Sequence, residues 1–276
     1  TSIQAAIDAS SPHDVITVAA GTYYEHITVT KNLELYGQGW GSTTIDGEHT
    51  GSTPTVNILW GITSSTLISG FKITGGGTGI SATSGQDGGG IYMAYASPRV
   101  VNTWIDNCTA RNGGGVFVLS GSPTFENVPV WNSQAYQRGG GFYLYDANVT
   151  MIANPFIGTD GTVLFNRASW DGGGLFMSEV TATIIGIRIW LNTSDMYGGG
   201  VEIYNNPYRV GMYGNFIWFN SAKTIGNAGG GISTYSATDL DIILNDISGN
   251  TAPGTGGGAL FGRSKGVINL NRIINN

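Results

Sequence analysis

The sequence predicts an all-β solenoid, an elongated fold of stacked coils, from three observations. The first is a glycine triplet followed by an apolar residue, which starts at Gly88, Gly113, Gly139, Gly172, Gly198, Gly229 and Gly256. The starts lie 25, 26, 33, 26, 31 and 27 residues apart, an interval typical of repeats that each form one supersecondary unit. Such a unit buries its apolar side only by stacking on its neighbours.

The second observation is an asparagine that ends a short apolar run in successive repeats. The series is Asn107, Asn132, Asn166, Asn192, Asn220, Asn250 and Asn276. We predict a structural asparagine ladder at a corner of the coil, in which each side-chain amide bonds the equivalent amide one coil above and below. The alternative is that asparagine occurs there only because it is a good turn residue.

The third observation is composition. Charged residues make up 11% of the 276 residues, against about 25% in a typical soluble domain. The 41% of hydrophobic residues exclude a disordered chain. A net charge of −6 argues against nucleic acid as a partner, and no stretch approaches the roughly 20 apolar residues of a membrane span.

These patterns predict a single domain over residues 1–276. Residues 1–10 form an N-terminal cap helix, since Ile3, Ala6 and Ile7 fall on one helical face, and this helix would cover the open edge of the first coil. Residues 40–87 form less regular coils, and residues 88–276 form the regular coils. Insertions between Asp146 and Gly161 and over residues 222–228 predict loops, which in solenoids often lie on the binding face.

The opening segment SIQAAIDAS…DVITVAAGTYYEHITVTKNLELYGQG resembles that of right-handed parallel β-helix proteins of the pectate-lyase-like superfamily. The Gly-Gly-Gly-apolar repeat is similar to the repeats of polymorphic surface proteins and adhesin-like β-helix proteins. The resemblance covers the whole chain and implies a right-handed parallel β-helix of about ten coils with a short capping helix. It does not select a function, because this fold carries lyases, hydrolases, epimerases, adhesins and phage spikes.

The catalytic motifs of the enzymes that this sequence resembles are mostly absent. The Asn-Thr-Asp, Asp-Asp, Gly-His-Gly and Arg-Ile-Lys motifs of polygalacturonase-type enzymes are missing. Trp104-Ile105-Asp106-Asn107 resembles the Trp-Ile-Asp-His segment of pectate lyases, with asparagine in place of histidine, and the arginine-proline segment of those enzymes is missing. We therefore predict no catalytic residues on this chain and no cofactor.

The charged residues suggest a row beside the glycine triplets. Arg111 and Arg138 could lie on adjacent coils, and Asp87 and Asp171 also precede triplets, so either an ordered row or separate solvated charges is open. The three histidines lack metal-ligand spacing, and no metal site is predicted. The single cysteine, Cys108, is expected to be a small buried residue.

An aromatic stripe is the strongest candidate binding feature. If the residue after each triplet points inward, the next points outward, and the outward positions are rich in aromatic residues. The stripe consists of Tyr92, Phe117, Tyr143, Tyr145, Phe176, Tyr204 and Tyr235. Exposed apolar patches mark interaction sites, so the stripe would contact sugars or another protein; the alternative is that loops cover this sheet.

Two functions follow from these features. The first is a secreted or cell-surface structural or adhesive protein that self-associates, end to end through its C-terminal coil edge or side by side through the stripe, into filaments or a surface layer. The second is a polysaccharide-active lyase, hydrolase or epimerase, or a carbohydrate-binding β-helix. Both place the protein outside the cell or on its surface.

Overall fold

The computed structural model describes residues 2–50, 53–77, 86–153, 161–226, 228–254 and 256–276 of the chain. Within these residues the chain winds as a right-handed parallel β-helix, which confirms the predicted fold. Neighbouring strands belong to successive coils and run parallel in register, as Phe142↔Leu175 and Leu175↔Val201 illustrate.

Four parallel sheets run along the helix. Sheet A contains β1 (Val15–Thr17), β4 (Glu34–Tyr36), β7 (Leu67–Ser69), β10 (Arg99–Val101), β14 (Thr124–Glu126), β18 (Asn148–Ile152), β22 (Thr181–Ile185), β26 (Arg209–Tyr213), β30 (Asp239–Ile243) and β33 (Gly266–Asn269). Sheet B contains β2 (Gly21–Tyr24), β5 (Thr43–Asp46), β8 (Lys72–Thr74), β11 (Trp104–Asp106), β15 (Val130–Trp131), β19 (Thr162–Leu164), β23 (Arg188–Trp190), β27 (Phe216–Trp218), β31 (Asp246–Ser248) and β34 (Arg272–Ile274).

Sheet C contains β3 (Ile27–Val29), β6 (Val56–Ile58), β9 (Ile91–Ala94), β13 (Val116–Leu119), β17 (Phe142–Tyr145), β21 (Leu175–Ser178), β25 (Val201–Tyr204), β29 (Ile232–Tyr235) and β32 (Ala259–Gly262). The short sheet D contains β12 (Thr109–Ala110), β16 (Gln134–Ala135), β20 (Arg167–Ala168), β24 (Thr193–Ser194) and β28 (Ser221–Ala222). Sheets A and B hold ten strands and sheet C nine, so the described residues form slightly fewer complete coils than the ten predicted. Of the two predicted insertions, residues 154–160 and 227 lie outside the described residues.

The core is a column of inward-facing apolar side chains. Six of the seven residues that follow the glycine triplets are buried as predicted, among them Val116, Phe142, Leu175 and Val201, and Ala259 is half-buried. The next residue in each strand faces outward, because side chains alternate along a strand. The outer faces of the sheets are therefore where ligands can bind.

The glycine triplets are required by close backbone contacts. Gly172 has a φ of 65°, and a Cβ there would clash with the carbonyl oxygen of Leu175 on the strand that follows. At Gly173 a Cβ would clash with the carbonyl oxygens of Gly199 and Thr193 in the next coil. Only glycine permits this folding-back and stacking, and the bend brings the residue before each triplet against the outer face of sheet C.

The N-terminal helix α1 (Ile3–Ala9) caps the first coil, with Ile3 and Ile7 buried against the core. The side chain of Gln4 accepts a hydrogen bond from the backbone N–H of Thr28 at 2.6 Å, so the helix occupies the free edge of β3. The carboxylate of Glu25 accepts the helix N-terminal N–H groups of Ile3 and Gln4 at 2.7 and 3.0 Å. A residue distant in sequence thereby caps the helix.

We expect Glu25→Ala to lower the free energy of unfolding by about 1–2 kcal/mol, because capping side chains contribute that much and the orphaned N–H groups are only partly exposed. Urea denaturation followed by circular dichroism measures it. Glu126→Ala is the matched control, since Glu126 makes only an exposed ion pair with Arg99 at 3.6 Å and such pairs contribute below about 1 kcal/mol. Equal effects of the two substitutions would contradict the capping role.

Candidate functional site

Five members of the asparagine series form a ladder inside the coil: Asn166, Asn192, Asn220, Asn250 and Asn276. Each amide Nδ2 donates to the Oδ1 of the next member at 3.0 Å. The same Nδ2 groups also donate to backbone carbonyls of the preceding coil, such as Val163 O for Asn192. The first four of these amides are buried, and the role of the ladder is structural.

Asn107 and Asn132 lie outside this ladder, so the predicted register was off by one residue in their two coils. Both are exposed at a corner with left-handed φ values of 53° and 51°, a conformation that asparagine adopts more readily than most residues. The ladder position in those coils is occupied by Cys108 and Ser133, and the backbone N–H of Ser133 donates to Asn166 Oδ1 at 2.9 Å. Burial raises the pKa of the Cys108 thiol to about 12, which keeps it unreactive at neutral pH.

The aromatic stripe lies on the outer face of sheet C. Four of its rings stack in one column along the helix axis: Tyr92–Phe117, Phe117–Tyr143 and Tyr143–Phe176, with centroids 5.4, 5.0 and 5.0 Å apart and planes within 2–14° of parallel. Tyr204 and Tyr235 form a second stack at 5.8 Å, and Tyr145 donates a hydrogen bond to Glu179 at 3.4 Å.

The first column is not a free platform for sugars. Its ring faces point along the axis and contact one another, and Phe117 and Phe176 are only 6% and 1% exposed. Burial is the main cause that raises the pKa of Tyr143. Tyr204 and Tyr235 remain 37% and 39% exposed, so the accessible part of the stripe is its C-terminal end.

A polar row runs beside the stripe and consists of the residues that precede five triplets: Asp87, Asn112, Arg138, Asp171 and Tyr197. Arg111 pairs with Asp87 through two hydrogen bonds of 3.0 and 2.6 Å. Asn112 donates to Asp87 at 3.0 Å and accepts from the Arg138 backbone at 3.2 Å. The sequence left open whether these charges form an ordered row or are separately solvated. In the structure they are ordered and paired.

The polar row and the aromatic column meet at Glu202. This residue follows Phe176 in the register of sheet C and precedes Ser233. Its side chain is 2% exposed, and its Oε2 has no hydrogen-bond partner. A buried polar atom without a partner is uncommon in folded proteins, so Glu202 is the outstanding polar group on this face.

The surroundings of Glu202 favour its protonated, neutral form. Burial is the largest cause and raises the pKa of Glu202 to about 8. A hydrogen bond with Ser233 lowers this pKa, the charge of Asp171 raises it, and the charge of Arg138 lowers it. Asp171 accepts a hydrogen bond from Arg138 Nε at 2.9 Å in an ion pair. The buried carboxyl group of Glu202 and the carboxyl group of Asp171, paired with Arg138, thus share one site, an arrangement suited to acid–base chemistry.

Arg138 lies over this site. Its guanidinium carbon is 5.1 Å from the ring centroid of Phe176, 5.3 Å from that of Trp170 and 6.0 Å from that of Tyr204. Phe176 and Tyr204 flank Glu202 on the same outer face, so the guanidinium lies above the buried acid. The Arg138 side chain is itself 34% exposed, which makes it the group between Glu202 and solvent.

Alternation along the strand places Glu202 at the outward position of its coil, but the predicted stripe did not include it. The available signal was the break in the aromatic column: every rung from Tyr92 to Phe176 carries a ring, and the next carries a carboxyl group.

Among the described residues, no three His, Cys, Asp or Glu side chains are grouped to hold a metal ion. No helix in the described part of the chain is sufficiently long and apolar to span a bilayer.

Comparisons with known proteins show likeness in fold only. No protein-family model matches the chain, and no curated protein matches it. Among solved structures the chain is similar to pectin methylesterase from carrot, at 14% identity and a TM-score of 0.45, covering 96% of this chain and 84% of that one. It is also similar to a pectin methylesterase in complex with hexasaccharide VII, at 12% identity and a TM-score of 0.40, and to pectin methylesterase PemA from Erwinia chrysanthemi, at 13% and 0.39; both matches cover 96% of this chain and 76% of the other. Likenesses of this size assign no residue a role; by its own strand pairing, the chain is a parallel β-helix.

Proposed function

We propose that the protein acts on a polysaccharide at the outer face of sheet C, with Glu202 as proton donor. The observation that carries this proposal is the neutral carboxyl group of Glu202 beside the Arg138–Asp171 ion pair. Two carboxyl groups in different environments commonly serve as the acid and the base of one reaction. This proposal replaces the sequence-based prediction that the chain has no catalytic residues.

The chemistry that fits is hydrolysis of a glycosidic bond. Glu202 donates its proton to the oxygen that leaves as the C–O bond breaks, water adds to the anomeric carbon, and Asp171 accepts the proton that the water loses. Proton exchange with solvent then returns both groups to their starting states.

The accessible surroundings suit a sugar chain. Trp170, Tyr204 and Tyr235 are each between 37% and 39% exposed, and half-exposed aromatic rings offer sugars an apolar contact with a polar edge. Because Glu202 is covered, Arg138 has to turn away before a substrate oxygen reaches it. The substrate itself supplies hydroxyl groups to which the released guanidinium can donate.

The test is a panel of neutral, acidic and esterified polysaccharides, assayed between pH 4 and 9 for new reducing ends. We expect at least one to be cleaved, with a rate that falls above about pH 8 as Glu202 loses its proton. Glu202→Gln should reduce this rate by about 10²-fold or more.

Glu179→Gln is the control, since Glu179 is exposed and contacts only the Tyr145 hydroxyl; its rate should equal that of the unaltered protein. Absence of product on the whole panel would refute the proposal. Cleavage that Glu202→Gln leaves unchanged would also refute it, by excluding Glu202 as the proton donor.

The structural or adhesive role inferred from the sequence stays a prediction. Self-association was expected at the C-terminal coil, where Val267, Leu270 and Ile273 are exposed; these residues belong to the last coil of the sequence, which has a neighbour on one side only. A polysaccharide substrate is consistent with the predicted extracellular or cell-surface location, which we retain as part of the proposal.

A further inference from the structure

The outer face of sheet B carries a second set of aromatic side chains. One column runs through four consecutive coils and contains Trp131, Leu164, Trp190 and Trp218, in register. Beside it, at the corner that follows the sheet, lie Phe165, Leu191 and Phe219 in three consecutive coils. We call these seven residues the tryptophan face. None of them belongs to the site on sheet C.

The corner residues are held in a strained conformation. Phe165, Leu191 and Phe219 each have a φ of 54°, a left-handed backbone that costs a bulky residue roughly 1–2 kcal/mol. The neighbouring coils place Asn132 and Gly249 at the same corner, and these residue types adopt this backbone readily. Phe165 and Phe219 are nevertheless 55% and 53% exposed, so neither strain nor exposure is relieved within the chain. Strain of this kind clusters at functional sites.

The rings of this face are arranged differently from those of sheet C. Trp190 and Trp218 meet edge to face, with planes at 82° and centroids 6.4 Å apart. When two rings pack edge to face, the ring that presents its edge does not use its own faces in that contact. The parallel rings of sheet C, in contrast, cover one another's faces. The indole Nε1 atoms of Trp131, Trp190 and Trp218 are buried, which leaves the apolar parts of the rings toward solvent.

The size and repeat of the face indicate its occupant. Four coils at about 4.8 Å span about 19 Å, and two residues across are about 7 Å wide, giving roughly 130 Å². A stable protein interface needs about 800 Å² from each partner, so this strip is too small for a dimer. The strip is narrow, and its apolar residues recur once per coil. It therefore matches a narrow polymer whose units recur at a similar interval.

We propose that the tryptophan face binds an extended polysaccharide chain lying along the helix axis, with the apolar faces of its sugar rings on the tryptophans and on Phe165 and Phe219. It shares the polysaccharide ligand with the proposed function but not its residues. The face would hold the polymer in place while the site on sheet C acts on it, or hold it where no reaction occurs.

The test compares retention on microcrystalline cellulose, chitin, xylan, mannan and polygalacturonate. The variant Phe165→Asn/Phe219→Asn introduces the residue that Asn132 already provides at this corner, so it should fold at least as stably as the unaltered protein. We expect retention on at least one of the polysaccharides, weakened about ten-fold in this variant.

Tyr95→Asn is the matched control, because Tyr95 is also aromatic, exposed and left-handed, with a φ of 54°, on a different corner; it should bind like the unaltered protein. Retention on none of the five polymers, or equal retention of the Phe165→Asn/Phe219→Asn variant, would overturn the proposal. A concentration-dependent dimer that this variant abolishes would overturn it in favour of self-association. Glu202→Gln should be retained like the unaltered protein, which separates failure of this proposal from failure of the proposed catalysis.

Discussion

Replacing Asn192 with alanine is expected to lower the free energy of unfolding by about 3–6 kcal/mol, since each buried polar group left without a partner costs about 1–3 kcal/mol. Asn192 Oδ1 accepts from the backbone N–H and the Nδ2 of Asn166 at 2.9 and 3.0 Å. Its Nδ2 donates to Val163 O at 2.8 Å and to Asn220 Oδ1 at 3.0 Å. Asn192 is fully buried, so water cannot replace these bonds.

Urea denaturation measures this loss as a lower midpoint at an unchanged slope. The matched control is Asn132→Gly, which removes an exposed corner asparagine while keeping a residue that accepts a φ of 51°. We expect the control to change the free energy of unfolding by less than about 1 kcal/mol. If Asn192→Ala were no more destabilising than Asn132→Gly, the ladder would not be the stabilising element inferred here.

The second large effect concerns pH. Glu202 has a pKa of about 8 in the folded protein against an ordinary value of 4.5. Below pH 4.5 the group is protonated in both folded and unfolded chains, and its contribution to stability is fully present. As the pH rises to 8, only the unfolded chain releases the proton, so the free energy of unfolding falls by roughly 3–5 kcal/mol over this interval. Above about pH 8 both states are ionised and the fall ends.

Glu202→Gln removes this titration. The variant should match the unaltered protein near pH 5 and exceed its stability by roughly 3–5 kcal/mol near pH 8, as measured by urea midpoints at each pH. Glu179→Gln, at an exposed position of the same sheet edge, should follow the unaltered protein throughout. A difference between Glu202→Gln and the unaltered protein that does not grow with pH would show that Glu202 is already ionised when folded.

The asparagine ladder shows how far sequence periodicity extends. The series from Asn166 to Asn276 was placed in the ladder because a fixed spacing from an apolar run gives a fixed position in the coil. Asn107 and Asn132 satisfied almost the same spacing but lie one residue earlier, at the left-handed corner. Asparagine suits both positions, as a ladder amide and as a left-handed residue, and a shift of one residue moves a side chain between inside and outside.

The aromatic stripe shows a second limit. Alternation along the strands predicted that Tyr92, Phe117, Tyr143 and Phe176 point outward, and they do so in register. It could not predict that their faces stack on one another or that Phe117 and Phe176 are covered. Whether a ring of sheet C is covered depends on where the residues before the triplets fold back. Their positions depend on side chains from other coils.

From the sequence by itself, the coil period, the inward positions and the capping helix were determined, because each depends on residues close together in the chain and on spacings that stacking repeats. Only the tertiary structure decided the chemistry. Arg138 and Asp171 are 33 residues apart in the chain, yet they pair at 2.9 Å. The pKa of Glu202 is raised mainly because its coil neighbours bury it, and the charge of Asp171 adds to this effect. Contacts between coils depend on side-chain length and packing, and no spacing along the chain records them.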